Sequence, residues 1–290
     1  VHRVIAASMV FLALGFAAQT RVYGSVFVDL QARLIQEGFE EEFIRGVYES
    51  PSVRFEPRPV LSYFTIRESR LNYNQFLEPS SVQLCREYVD RHRETLEAVE
   101  KRTHVPPALL AALFMVETRL GTYTGRFNVL NILSSLSVSH HPETMKDLFD
   151  QLKPEEREQT TFEDFQSFCA RKSDWAYKEL VAFLGYTRAV NSTPHDIQGS
   201  LAGAIGIPQF IPSNVLRYGK DGDGDGKVDL FSHEDALHSA AHILTACGWK
   251  KDMGRAERRK ALLCYNRSGP YADTILELAR RVAGEPAVEP

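Results

Sequence analysis

The chain has 290 residues, of which 25% are charged and 43% hydrophobic, with a formal net charge of −4. That length can bury a sizeable core in one large or two modest domains, and the composition is ordinary for a globular protein. The negative balance excludes a global positive field for holding nucleic acid, and neither a low-complexity tract nor a short repeat is present.

His2 and Arg3 precede an apolar run over residues 4–18. A spanning helix needs roughly 20 apolar residues, so this run is short for one. A basic start, an apolar centre and small residues at Val22 and Gly24 predict a secretory signal over residues 1–24. An uncleaved anchor and a buried helix are the alternatives. No cysteine stands near the end of the run, so no lipid attachment is expected there. Export places Cys85, Cys169, Cys247 and Cys264 in an oxidising compartment. Four cysteines allow three pairings; Cys247 and Cys264, closest along the chain, are the favoured pair, and four buried thiols are the alternative. No cysteine spacing suggests zinc, and no HExxH is present.

Most of the remaining chain carries helical periodicity. Helices are predicted over 26–37 and 40–47, with Gly38 as the break between them. Residues 51–59, with three prolines, form an extended connector. A long helix follows over 82–103, then a strongly apolar one over 106–120 with prolines suited to helix entry. The polar segment 139–169 reads as an insertion or a mobile cover. Helix returns over 175–190. A glycine-rich segment over 199–213 and an acidic loop from Asp221 precede two last helices, 234–247 and 271–282. No run of alternating strands appears, so the fold class is mainly α. The organisation is an N-terminal helical region over 25–104, a core over 105–284 and a frayed tail over 285–290.

Glu117 is the most informative side chain. Leu110, Leu113, Phe114 and Leu120 share its helical face at spacings of seven, four, three and three. A carboxylate on an apolar stripe is costly to bury ionised, so desolvation raises its pKa and keeps more of it protonated near neutrality. A general acid for glycosidic cleavage requires that. The competing interpretation is a structural Glu paired with an arginine or backbone donors. Gly121 and Gly125 follow closely, so the helix ends just past the acid and can present it to a cleft. Arg119 faces elsewhere.

The run Gly199-Ser200-Leu201-Ala202-Gly203-Ala204-Ile205-Gly206 leads into Ile207-Pro208-Gln209-Phe210-Ile211-Pro212-Ser213. Small residues let backbone approach a ligand or another helix closely, and Ser200 and Gln209 set polar groups beside that approach. Plain helix packing is the alternative. The run lacks the Gly-Lys-Ser/Thr end of a phosphate loop, and no strand precedes it as in a dinucleotide site. Further on, Asp221, Asp223 and Asp225 with Gly226 match positions one, three, five and six of an EF-hand loop, and Lys227 at seven offers its carbonyl. Position twelve is Ser232 rather than Glu; Glu234 and Asp235 lie just beyond. The pattern predicts a structural calcium ion, with a solvated acidic turn as the alternative.

Taken together, Val116-Glu117-Thr118-Arg119-Leu120-Gly121, the glycine-rich run, and Tyr265-Asn266-Arg267-Ser268 with Tyr271 resemble the lytic murein transglycosylase B family. The likeness covers residues 105–282 and, more faintly, the helices before them. It implies a lysozyme-like core with an EF-hand-like calcium loop. It also implies cleavage of the N-acetylmuramic acid–N-acetylglucosamine bond of peptidoglycan, leaving a 1,6-anhydromuramic end. Glu117 takes the place of the sole catalytic acid/base. Ser200 and Gln209 match contacts to the sugar near the scissile bond, and Tyr265, Asn266 and Tyr271 match cleft-lining residues. Arg171 and Lys172 stand where the family has a basic pair for the peptide stem or lactyl carboxylate. Tyr73 matches an upstream cleft tyrosine. Asp235 becomes the closing carboxylate of a longer metal loop. No organic cofactor is implied, and the expected state is a periplasmic monomer, anchored if the amino-terminal segment is retained, whose partners are peptidoglycan glycan strands.

The implied mechanism needs one carboxyl, because the sugar's own O6 hydroxyl attacks in place of a positioned water. Three features depart from the family: the length over 139–169, Lys172 in place of Arg, and a short 249–265 segment where some members insert a small β-domain. Two rival functions follow from the same residues, a lysozyme-type muramidase that uses water and a non-catalytic calcium-dependent glycan-binding module.

Overall fold

The computed structural model describes residues 27–65 and 72–286, the Tyr63 side chain excepted. The predicted signal over 1–24 and the end of the predicted tail lie outside the described residues. In chain order the helices are α1 (27–36), α2 (Glu41–Tyr48), α3 (Pro57–Thr65), a 3-10 turn at Tyr73–Leu77, α4 (Pro79–Arg91), α5 (Arg93–Thr103) and α6 (Pro107–Thr118). They continue with α7 (Val129–Ser137), α8 (Pro142–Asp150), α9 (Pro154–Arg157), α10 (Phe162–Ala189), α11 (Pro212–Tyr218), α12 (His233–Ala246), α13 (Arg255–Tyr265) and α14 (Gly269–Ala283). The described strands, Phe127–Asn128 and Gln198–Gly199, are two residues long each, so the fold is mainly helical as expected. None of the described helices is long and apolar enough to cross a membrane.

The chain divides into two compact units that interleave in sequence. Among the described residues, one contains 27–65, 128–184 and 193–197; the other contains 72–127, 185–192 and 198–286. The boundary expected at 104–105 is instead a tight turn inside the second unit. His104 there takes the left-handed conformation that ends α5 (φ 59°), and α6 starts three residues later. The physical reason is packing: Val82, Cys85, Tyr88, Leu96 and Val99 of α4 and α5 lie in the same hydrophobic cluster as Leu109, Leu110 and Leu113 of α6.

The first unit buries Leu34, Ile44, Val47, Val60, Ile132, Leu136, Leu148, Phe165, Leu180 and Phe183. The proline-bearing connector is pinned by side chains of α7. Asn131 accepts from the Arg54 amide at 3.2 Å and donates to the Ser52 carbonyl at 2.9 Å, and Ser135 accepts from the Glu56 amide at 2.8 Å. The connector is shorter than expected, because Pro57 already begins α3. The segment 139–169 is not a structureless cover. It folds into α8, α9 and the start of α10, burying Met145, Leu148, Leu152 and Phe165, with Phe64 packed edge-on against Phe165 and Phe168 at 4.9 Å each. Its charged residues mask a phenylalanine set spaced for helix packing.

The second unit is built around α6 and α14. Eight of the twelve residues of α6 are buried, so it is a core helix enclosed on nearly all sides rather than one with a single apolar stripe. Pro107 at its first turn supplies a preset φ where no backbone donor is needed. The predicted long helix over 82–103 breaks at His92 (φ −107°, ψ 27°), whose ring lies 4.4 Å from both Tyr88 and His233. A disulfide joins Cys247 to Cys264, the favoured pair, while Cys85 and Cys169 are free and buried. It ties the end of α12 to the end of α13, a charged helix whose 3.6-residue pattern is too weak to predict.

Candidate active site

α6 stops abruptly at Thr118. Arg119 and Leu120 then take left-handed backbone at φ 49° and 60°, before Gly121 at φ 86°. Non-glycine residues rarely adopt that region. Leu120 has therefore left the helix and does not extend the face of Glu117, contrary to the sequence reading. Glu117 itself sits on the last helical turn, half-buried.

Its surroundings are aromatic hydroxyls rather than cations. The Tyr271 hydroxyl donates to Glu117 Oε1. Burial pushes the Glu117 carboxyl up to about 7, and the Tyr271 hydrogen bond pulls part of the way back. The physical cause is loss of water around the charged form, which one phenolic donor replaces only in part. Tyr271 and Tyr265 are in turn raised well above the ordinary tyrosine range, first by burial and then by the nearby Glu117 charge. Tyr73 also bears on Tyr271 electrostatically, so the 3-10 turn brings a third phenol to the same place. Arg119 points away, with its guanidinium donating to Gln75 Oε1 at 3.2 Å.

Each tyrosine is held by its own local device. Tyr271 lies in the first turn of α14, where the Ser268 hydroxyl caps the helix by accepting the Tyr271 amide at 3.3 Å. Such a cap contributes about 1 kcal/mol. Tyr265 ends α13, donates to the Pro208 carbonyl and packs its ring 5.9 Å from Phe210. Asn266 follows as an exposed residue in extended backbone at φ −142°.

The glycine-rich run is a folded loop rather than a helix. Ile205 and Phe210 exchange backbone hydrogen bonds at 2.8 and 3.1 Å, and Ser200 accepts the amides of Ala202 and Ala204 at 3.2 and 3.1 Å. Those bonds use lone pairs of the Ser200 hydroxyl and leave its proton for donation. Gln209 is itself left-handed (φ 51°) and donates through Nε2 to the carbonyls of Gly206 and Thr124 at 2.9 and 3.0 Å. Glycine is required where the backbones meet: a Cβ on Gly125 would lie 2.1 Å from the Gly199 carbonyl. Glu117, Tyr73, Tyr265, Tyr271, Ser200 and Gln209 thus all belong to the second unit. Arg171 and Lys172 belong to the first, on α10, where Lys172 lies 5.1 Å over the Trp175 ring. The sequence reading quoted Ser268 within a motif but gave it no role; a Ser two residues before Pro270 at a helix start was the available signal for a cap.

In the acidic loop, carboxylate oxygens of Asp221, Asp223 and Asp235 lie within 4.8 Å of one another. Asp235 is buried, and burial raises its carboxyl, with the Asp223 charge adding to the rise. Its two oxygens accept the amides of Gly222 at 2.7 Å and Asp229 at 2.6 Å. Asp221 accepts the amides of Gly224 at 2.6 Å and Gly226 at 2.8 Å, which hold it below the usual carboxylate range. Asp225 stands outside that trio, accepting the Lys227 amide at 2.8 Å. Three hard oxygen donors with no nitrogen or sulfur among them suit calcium rather than zinc. Gly222 is obligatory, since a Cβ there would meet the Glu234 carbonyl at 2.6 Å.

Residues 24–259 match the family described as the transglycosylase SLT domain. The chain is 28% identical over 177 residues to the membrane-bound lytic murein transglycosylase B of Escherichia coli; the aligned part is 61% of this chain and 41% of that protein. Among solved structures, the soluble lytic transglycosylase SltB1 from Pseudomonas aeruginosa superposes with a TM-score of 0.71 at 22% identity, over 88% of this chain and 98% of that one. The Escherichia coli lytic transglycosylase Slt35 in complex with calcium superposes with a TM-score of 0.70 at 20% identity, over 88% and 91%.

Proposed function

The chain belongs to the transglycosylase SLT domain family, and from that premise we propose that it is a lytic transglycosylase of peptidoglycan with Glu117 as its single acid/base. The observation that carries this reading is a half-buried carboxyl raised to about 7 on the last turn of a core helix, with a phenol as hydrogen-bond partner. Near neutral pH such a group is protonated about half the time, which suits a residue that must give a proton and later take one.

Because Tyr271 donates to Oε1, the acid proton resides on Oε2. That proton passes to the glycosidic oxygen, and the N-acetylglucosamine side departs as an alcohol. The muramic N-acetyl group assists at the anomeric carbon. The Glu117 carboxylate then takes the proton from the muramic O6 hydroxyl, whose oxygen bonds to the anomeric carbon and closes the 1,6-anhydro ring. Both groups are held in one molecule, so no second carboxylate is needed to position water. Ser200, Gln209, Tyr265, Asn266, Tyr271 and Tyr73 contact the sugars. Phenol rings stack on sugar faces, and hydroxyl and amide groups bond their polar edges. Arg171 and Lys172 meet the peptide stem or the lactyl carboxylate. A lysozyme-like core and a signal over 1–24 complete the reading. The chain works in the periplasm as a monomer on glycan strands.

Asp221, Asp223, Asp225, the Lys227 carbonyl and Asp235 would hold calcium. Bound there, the ion supplies positive charge to three converging carboxylates and fixes the turn after the Gln209 segment; it takes no part in the chemistry. The Slt35 structure that this chain resembles is a complex with calcium.

Digestion of purified sacculi tests the enzymatic reading. Muropeptides ending in 1,6-anhydromuramic acid are the expected product. Reducing muramic ends, one water heavier, would instead identify a hydrolase, and no release at all would leave a glycan-binding module.

A further inference from the structure

α6 ends in a left-handed turn that extends past a single residue. Arg119, Leu120 and Gly121 are three consecutive left-handed residues, and the two that carry side chains each cost about 1 kcal/mol or more there. Such backbone persists only where its surroundings over-determine it. Backbone bonds hold part of it, from the Arg119 amide to the Met115 carbonyl at 3.1 Å and from the Leu120 amide to the Phe114 carbonyl at 2.9 Å; the side chain that adds to them is Thr118, 1% exposed. Its hydroxyl faces the Phe114 carbonyl at 3.4 Å, the bond a helical threonine ordinarily makes, but lies closer to the Ile207 carbonyl, at 3.0 Å. It also accepts the Gly121 amide at 3.0 Å. One hydroxyl therefore spends its proton on the glycine-rich loop and a lone pair on the left-handed turn. Ile207 is fixed in its turn by donating its amide to the Leu230 carbonyl at 2.8 Å. Glu117 is the residue directly before this junction, and Gln209 is two residues beyond Ile207.

We propose that Thr118 is a positioning residue, whose hydroxyl locks the end of α6 to the Ile207 carbonyl and so fixes the direction and burial of the Glu117 carboxyl. This rests on the reading of Glu117 as the acid. Without the hydroxyl, the Ile207 carbonyl and the Gly121 amide lose their partner together, the turn relaxes, and water reaches Glu117. Rehydration favours the charged form, so the carboxyl moves back toward the ordinary range.

The test compares Thr118→Val, which keeps the shape and removes the hydroxyl, with Thr118→Ser, which keeps the hydroxyl. Thr118→Ala gives the same contrast should the valine not be accommodated. Two quantities are read on full-length, folded protein: the titration midpoint of the Glu117 side-chain carboxyl by carbon NMR, and kcat and KM on soluble glycan strands. In Thr118→Val the midpoint falls by about 1 pH unit. kcat drops about 30-fold while KM stays within about threefold, as expected when orientation rather than binding is lost. Thr118→Ser stays within about threefold of the parent in both. An unchanged midpoint and kcat in Thr118→Val, or an equal loss in Thr118→Ser, overturns the positioning role. Glu117→Gln measured alongside separates the two readings: if it is inactive while Thr118→Val behaves as the parent, only the positioning role fails.

Discussion

Glu117 and the acidic loop over 221–235 put carboxylates in opposite surroundings within one compact unit. Glu117 stands on a helix rich in buried leucine, phenylalanine and methionine, hydrogen-bonded by a single phenol, and burial lifts it to about 7. Asp221 stands in an exposed turn where backbone amides converge on it, and those donors hold it below the usual range. The residue type is nearly the same; the supply of donors decides whether it works as an acid or as a fixed anion. Asp235 lies between the extremes, buried yet bonded to two amides, with the Asp223 charge adding to the cost of its own.

The largest effect that sharpens this contrast is expected at Glu117 itself. Glu117→Gln keeps the shape and removes the transferable proton, so turnover of sacculi should fall about 10³-fold or more, with circular dichroism unchanged. The same variant reads the pKa through stability. A carboxyl raised from 4.5 to about 7 binds its proton more readily folded than unfolded. Its contribution to stability is therefore complete below about pH 4.5 and is lost as pH climbs to about 7. Denaturant titrations across that range should show a falling slope for the parent that Glu117→Gln lacks; parallel curves would contradict the raised pKa.

Tyr271→Phe is the next largest. The phenol lowers the Glu117 pKa, so its loss should move the alkaline limb of the pH–rate profile upward while kcat falls about tenfold. An alkaline limb that moves downward would show that Tyr271 does not stabilise the charged form. At the loop, chelation should lower the melting temperature by about 5–10 °C, with calcium restoring it. Asp235→Asn should remove that response and leave the Glu117 titration in place. The smallest effect on activity is expected for the disulfide, which joins the helix bearing Asp235 to the helix bearing Tyr265 across 17 residues. Replacing both cysteines with serine should cost about 3 kcal/mol of unfolding free energy, with activity at 25 °C retained.

Glu117 was legible as an acid in an otherwise apolar run, because α6 buries eight of its twelve residues, whereas the phenols that face it, Tyr271 and Tyr265, come from elements far along the chain. The Cys247–Cys264 pairing followed from proximity along the chain. Tertiary organisation was much less legible. Two interleaved units cannot be inferred from a linear change in composition, since α4 and α5 carry charges outward while Leu96 and Val99 face the cluster around α6. The 139–169 segment looked like a cover because charged residues stand beside its buried leucines and phenylalanine, as Asp147 and Asp150 do around Leu148 and Glu163 and Asp164 do before Phe165. Thr118 escaped notice because a threonine at a helix end has an ordinary local partner, and its bond to Ile207 spans 89 residues. The roles assigned to Arg171 and Lys172 rest on resemblance.

The central claim, that one carboxyl cuts the strand without recruiting water, is tested most directly by digesting sacculi in ¹⁸O-enriched water and weighing the released muropeptides. Intramolecular attack predicts 1,6-anhydro ends that carry no ¹⁸O and vanish with Glu117→Gln. Reducing ends labelled with ¹⁸O, or anhydro ends that persist in that variant, would contradict it.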